Sequence, residues 1–283
     1  MSEIAGILGY LDDARYFSAL SDTIKHEFNR KFFNSRTSLY GTDETYQTYQ
    51  LLALKGNLVP EEHRENVFKT IVDDIKMRNN HLNTGIIGTK YLWPILAEGG
   101  QSDLAFTVAT QTSYPGYGYW INNGSTTFPE TWEGKNSQNH QMFGSVVEYF
   151  FKYLAGIQSP MEGNTAKGYR SIHIEPDVPV KLNSVNASVE TIAGTIVSDW
   201  EKTSDSFNHR ISVPANSIAT IALPVLDYKD ITVWEGNSKI WEKNSFITGV
   251  PGIIKVVKEE DRLVVSIESG KYIFVVKGKS SVD

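Results

Sequence analysis

The stretch Tyr114 to Phe143, YPGYGYWINNGSTTFPETWEGKNSQNHQMF, decides how the rest of the chain is read. It crowds aromatic rings, small polar residues and the carboxylates of Glu130 and Glu133 into a segment with neither a helical nor a strand period. Loops of this composition sit on a rigid scaffold and carry chemistry, and a sugar site in particular needs flat rings beside hydrogen-bonding groups. Tyr117, Tyr119, Trp120, Phe128 and Trp132 supply rings, while Asn122, Asn123, Thr126, Thr127, Asn139 and His140 supply donors and acceptors. Composition alone equally allows a surface loop whose rings cover a core.

On the N-terminal side of this stretch the pattern is helical. Met1 to Leu11 reads as the end of a helix breaking at Gly9. Asp12 to Phe33 reads as a second helix, capped by Asp12 or Asp13, with Tyr16, Leu20, Ile24, Phe28 and Phe32 on one stripe. Asp43 to Lys55 is a third. Pro60-Glu61-Glu62 opens a fourth with proline at its first position, striped by Val67, Ile71 and Ile75. A helix over Tyr91 to Glu98 places Pro94 near its first turn, and Ser102-Asp103 caps Leu104 to Thr112. Gln141 to Leu154 is dense enough in apolar residues to be a helix buried on more than one side. That makes roughly seven helices by periodicity.

Beyond Gly156 to Pro160 the period changes. Alternation takes over at Ile172 and Ile174, Val178 and Val180, Val189 and Ile192, Ile211 and Val213, Ile231 and Val233, Leu263 to Ile267, and Tyr272 to Val276. Turn signals separate these runs at short intervals, which predicts an antiparallel β-sandwich. The expected boundary therefore lies near residue 160, giving a helical region 1–160 and a β region 161–283.

The run Gly124-Ser125-Thr126-Thr127-Phe128-Pro129-Glu130-Thr131-Trp132-Glu133, followed by Ser137-Gln138-Asn139-His140-Gln141-Met142-Phe143-Gly144, resembles the late active-site segment of bacterial α-L-rhamnosidases of glycoside hydrolase family 78. His81-Leu82-Asn83-Thr84-Gly85-Ile86-Ile87-Gly88-Thr89 resembles that family's H-L-x-T-G-x-x-G-T turn, Tyr40 to Pro60 an earlier helix and its exit, and Gly168 to Ile174 the opening of its C-terminal β-domain. The resemblance implies a multi-domain α and β protein, a partial (α/α)6 toroid of helical hairpins followed by the sandwich. Seven helices are too few to close such a ring, so the sequence reads as the C-terminal part of the catalytic barrel, starting within the domain.

The same resemblance implies the removal of terminal α-L-rhamnose by inverting hydrolysis, with Glu130 as general base. It assigns His140 to the sugar hydroxyls, Trp132 and Trp120 to the pocket walls against the apolar face and 6-methyl of rhamnose, and His81 to substrate binding. Pro129 stands where the family has tryptophan, which alters one wall. Inversion needs an acid on the far side of the sugar ring, about 6.5–9.5 Å from the base. The family places that acid in a D-x-P-x-R-D-E-R motif, which this sequence does not contain. Glu133, three residues from Glu130, shares its side of the ring, and Asp43 and Glu44 read first as a helix start. The acid is then expected from a separately supplied N-terminal part of the barrel. The alternatives are a rhamnoside-binding remnant without catalysis and a remnant whose open helical face docks a partner or a second copy of itself.

Composition narrows the remaining classes. A net charge of −6 gives no footprint for nucleic acid, and 40% apolar content suffices for sizeable cores over 283 residues. There is no cysteine, hence neither disulfide nor thiolate ligand, and the expected chemistry needs no metal and no organic cofactor. His26-Glu27-Phe28-Asn29-Arg30 begins like a zinc-protease helix, but Arg30 stands where its second histidine belongs. Met1 to Tyr10 lacks a basic segment and a cleavage site, so no signal peptide is read, and no apolar run spans a bilayer; the localisation stays open, cytoplasmic if the sequence is complete. Asn123-Gly124-Ser125 and Asn186-Ala187-Ser188 fit glycosylation acceptors but carry no weight without a secretory signal.

Overall fold

The computed structural model describes residues 1–41, 46–158 and 167–280, and divides into two compact units, Met1–Ser145 and Val146–Asp283. The expected boundary at residue 160 lies outside the described residues, as do Asp43 and Glu44.

In the first unit, helices α1 (Ser2–Ile7) and α2 (Leu11–Phe32) lead to a two-stranded ribbon, β1 (Phe33–Asn34) and β2 (Leu39–Tyr40). There follow α3 (Gln47–Lys55), α4 (Arg64–Met77), α5 (Ile86–Glu98), α6 (Ser102–Ala109) and α7 (Tyr117–Asn122). The core gathers the stripes of α3 to α6: Leu51, Val67, Ile71, Ile75, Leu92, Trp93 and Leu96 are fully buried. The stripe of α2 behaves otherwise. No residue of α2 is buried, and Tyr16 at 63% and Ile24 at 55% exposure face solvent.

Several local expectations are corrected. Asp12 and Asp13 do not cap α2; they lie in its first turn, where they favour the helix dipole, and Tyr10 holds the cap position. Pro60 is not the first residue of α4. It precedes a single 3-10 turn, Glu61–His63, from which α4 continues. Helix α5 begins five residues before the expected Tyr91, so Pro94 sits well inside it. Ser102 and Asp103 are the opening residues of α6 rather than its cap. Finally, Gln141 to Leu154 is not one buried helix: a 3-10 turn (Gln141–Gly144), helix α8 (Ser145–Tyr149) and a π-turn (Phe150–Leu154) succeed one another. Phe150 and Phe151 are each 40% exposed.

The second unit is a sandwich of two sheets. Its strands are β3 (Ile157–Gln158), β4 (Ser171–Ile174), β5 (Ser184–Thr191), β6 (Gly194–Lys202), β7 (Ser206–Val213), β8 (Ile218–Pro224), β9 (Tyr228–Glu235), β10 (Ser238–Glu242), β11 (Ser245–Phe246), β12 (Ile253–Glu259), β13 (Arg262–Ile267) and β14 (Gly270–Ser280). One sheet runs β11-β10-β9-β14-β7-β6-β5 and the other β12-β13-β8-β4-β3. All described pairings are antiparallel except β4 with β8, which run parallel. Alternation works as read from sequence: in β13 every second side chain is buried, and Ile172, Ile174, Ile211, Val233 and Phe274 meet in the core. The exceptions are Ile192, which is 91% exposed between β5 and β6, and the pair Val178 and Val180. Pro176 and Pro179 remove ladder donors there, the segment is irregular, and Val180 is 72% exposed.

The sandwich also finishes the helix that enters it. The last carbonyls of a helix lack partners within it. Here Trp200 Nε1 donates to Leu154 O at 2.7 Å and Ser198 Oγ to Ala155 O at 2.6 Å, so β6 supplies the caps.

Candidate functional site

The loop after α6 reverses through a cis Tyr114–Pro115 bond and then forms α7, a helix its sequence hides behind glycines and rings. Gly118 donates to Gln111 O at 2.9 Å, and a β-carbon at 118 would stand 2.7 Å from that same oxygen. The glycine is required for this close return, which turns the aromatic face of α7 inward.

That face builds a block of rings. Trp120 and Trp132 stack with centroids 4.3 Å apart and planes 18° from parallel. Tyr117 meets both edge-on, at 5.6 and 5.3 Å, and Phe143 packs edge-on against Trp132 at 4.6 Å. Each buried N–H or O–H finds a main-chain carbonyl: Trp120 Nε1 donates to Trp132 O at 2.9 Å, Trp132 Nε1 to Thr84 O at 2.7 Å and Tyr117 Oη to Phe143 O at 2.9 Å. The loop is thereby fastened to the turn before α5.

Beyond Trp132 the segment doubles back. His140 N donates to Phe128 O at 2.7 Å and Glu130 N to Ser137 O at 2.8 Å, while Ser137 N donates to the Glu130 carboxylate at 3.3 Å. Glu130 is half-exposed, its main chain and one carboxylate oxygen both tied to Ser137. Glu133 is exposed and engaged elsewhere: Tyr114 Oη donates to it at 2.7 Å. That hydrogen bond holds the Glu133 carboxyl below its ordinary range and pushes the Tyr114 phenol up.

The turn from Arg78 to Thr84 forms the facing wall. Beneath it lies a polar triad whose Gln47 and Asp74 are buried. Asp74 accepts from Gln47 Nε2 at 2.8 Å and Arg78 Nε at 2.9 Å, and Gln47 returns its carbonyl to Asn83 N at 2.7 Å. His81 Nδ1 lies 2.9 Å from Arg78 O and 3.0 Å from Asn79 O. Two carbonyls can only accept, so Nδ1 carries the proton. Nε2 of the neutral ring then accepts from Ser113 Oγ at 2.8 Å.

Between these walls opens a cleft of about 370 Å³, lined by Arg78, His81, Asn83, Thr84, Tyr114 and Trp132 among others. Of the residues expected to bind substrate, His81 and Trp132 share this cleft. Trp120, 3% exposed, stands behind Trp132 as its support, while Glu130 and His140 belong to the doubled-back segment next to it. The Tyr114–Glu133 and Gln47–Asp74 contacts are not legible in the sequence, because they join residues 19 and 27 apart, and Arg78 meets Asp74 one helical turn away. Among the described residues no group of three or more His, Asp or Glu is placed to hold a metal, and no helix is long and apolar enough to cross a membrane.

The chain is similar to known proteins along nearly its whole length. Residues 1–154 match the bacterial α-L-rhamnosidase six-hairpin glycosidase domain, and residues 156–237 the bacterial α-L-rhamnosidase C-terminal domain. The chain belongs to the bacterial α-L-rhamnosidase family. An α-L-rhamnosidase of Formosa agariphila is 30% identical over 98% of this chain and 29% of its own length, and one of Streptomyces avermitilis 31% identical over 77% and 21%. In structure the chain is similar to the α-L-rhamnosidase of Dictyoglumus thermophilum (TM-score 0.85, 36% identity, 98% of this chain and 30% of that one). It is also similar to the Streptomyces avermitilis α-L-rhamnosidase solved with L-rhamnose (TM-score 0.79, 28% identity, 98% and 25%). The fold is therefore that of the family's helical hairpins followed by its C-terminal β-sandwich. The chain spans less than a third of the length of these relatives.

Proposed function

We propose that residues 1–160 form the base-bearing part of an α-L-rhamnosidase barrel and residues 161–283 its β-domain, the whole enzyme removing terminal α-L-rhamnose with inversion. The observation that carries this reading is the Ser137 main chain on Glu130, which fixes the carboxylate on a segment anchored by the Trp120–Trp132 stack. Held there, Glu130 takes a proton from the water that attacks the sugar. Trp132 offers a flat apolar wall, supported by Trp120, and His140 offers ring nitrogens to sugar hydroxyls, while His81, both of whose ring nitrogens are engaged, shapes the cleft wall. Neither a metal nor an organic cofactor enters this chemistry.

The unpaired stripe of α2 supports a partner for this chain. Tyr16, Leu20, Ile24 and Phe32 are exposed on one helix that buries nothing, an apolar surface of the kind that marks an interface. Its occupant is the remainder of the six-hairpin ring, which also brings the general acid.

The test is release of the chromophore from an aryl α-L-rhamnoside by the chain alone and with the remaining barrel segment added. Turnover appearing on addition, and falling by about 10²–10⁴ in Glu130→Gln, supports the reading. Turnover unchanged in Glu130→Gln sinks it. A second reading, rhamnoside binding without cleavage, is met if rhamnose binds while no combination turns over.

A further inference from the structure

At one end of the sandwich lies a cleft of about 800 Å³ walled by Tyr228 to Thr232 of β9, by Trp241 to Asn244 at the β10–β11 turn, and by Lys258 of β12. Its size is that of a small-molecule site. Two features of its walls go beyond what a sandwich needs.

The first is backbone shape. Asp230 holds a left-handed φ of 52° within β9. Opposite it, Lys277 pairs with Thr232 and Lys279 with Lys229, so two residues of β9 face Gly278 alone, a bulge. A β-carbon at 278 would lie 2.5 Å from Tyr228 Cβ and 2.8 Å from Lys229 O, so the glycine is what admits it. Across the cleft, Lys243 and Asn244 make a two-residue turn with φ of 49° and 59°. Turns of this kind prefer Asn, Asp or Gly, so a lysine at its first position is held there at some cost.

The second is charge. Lys229, Lys243 and Lys258 are exposed ammonium groups from three strands or turns on one cleft. Of the two carboxylates present, Glu242 is already engaged by Lys239 from outside the lining.

We propose that this cleft binds an anionic saccharide, its acid group between Lys229, Lys243 and Lys258. An aromatic wall beside Thr232, Asp230 and Asn244 suits a sugar, and point-charge lysines suit a carboxylate or sulfate without demanding a planar fork. The residues lining this cleft all belong to the second unit and none to the Glu130 loop. The inference does not rest on that loop's chemistry, and rhamnoside turnover does not report on it.

The experiment titrates the full chain with trigalacturonate, a sulfated trisaccharide and neutral maltotriose, at low and high salt. Binding of at least one acidic probe, weakened about tenfold by salt and by Lys243→Gln with Lys258→Gln, is the expected result. Which acidic probe binds tighter identifies the acid. Maltotriose binding as tightly as the acidic probes, lysine variants that bind unchanged, or no binding of either acidic probe overturns the proposal.

Discussion

Trp132 lies flat on Trp120 at 4.3 Å between ring centroids, and Trp120 returns its indole N–H to the main-chain carbonyl of Trp132 itself. One residue thus supports the other through both ring and backbone. Trp120→Phe keeps a ring in the stack but leaves that buried carbonyl without its donor, a loss of about 1–3 kcal/mol. Chemical denaturation should show this as a lower midpoint. A midpoint within error of wild type means that the carbonyl is rehydrated and the loop is held by other contacts.

Tyr114 and Glu133 give a prediction readable without activity. The phenol donor stabilises the carboxylate, so Glu133 titrates below 4.5 in the folded chain. A depressed carboxyl contributes stability above its unfolded value and loses it as pH falls through the folded one. In Tyr114→Phe the Glu133 carboxyl resonance should titrate closer to 4.5. An unmoved titration would assign the shift to the loop backbone and Thr131 instead.

The Gln47–Asp74–Arg78 triad predicts a coupled loss. Asp74 is 4% exposed and is the shared acceptor of both partners. Asp74→Ala strands the buried Gln47 amide at about 1–3 kcal/mol, while Arg78, 44% exposed, turns to water. Gln47 also holds Asn83 N, so hydrogen exchange at Asn83 should accelerate with the loss of stability. Destabilisation without faster exchange there would detach the triad from the turn.

How far the sequence reveals all this depends on the range of the contact. Alternation in β13 and the stripe of α4 were legible because burial acts through a local period. Helix α5 was shortened in the reading because Gly85, with no side-chain cap, stands where its N-terminus lies, and Pro94 reads as a start. Helix α7 escaped altogether: its six residues hold together through Gly118 returning to Gln111 and rings packed on Trp132. At the site, Glu130, Trp132 and His81 came from motif resemblance. The Tyr114–Glu133 and Gln47–Asp74 pairs did not, since they span 19 and 27 residues and leave no periodic trace.

The final prediction concerns Ser198 and His209. Ser198 Oγ has one proton, given to Ala155 O at 2.6 Å, so the 2.9 Å contact with His209 Nε2 must run from the histidine. His209 is therefore the Nε2–H tautomer, and its buried Nδ1 has no partner among the described residues. With no charge beside it, burial alone presses its pKa from 6.5 to about 3. The unfolded chain binds a proton near pH 6.5 that the folded chain refuses, so this contribution to stability is whole above 6.5 and shrinks as pH falls toward 3. The slope is about 1.4 kcal/mol per pH unit within that window. His209→Phe keeps the ring volume and the Ser198–Ala155 bond but cannot titrate. Its melting temperature should fall less between pH 6.5 and 4 than that of the wild type, whose other groups are unchanged. Parallel curves would mean that His209 takes its proton inside the fold, through water reaching Nδ1.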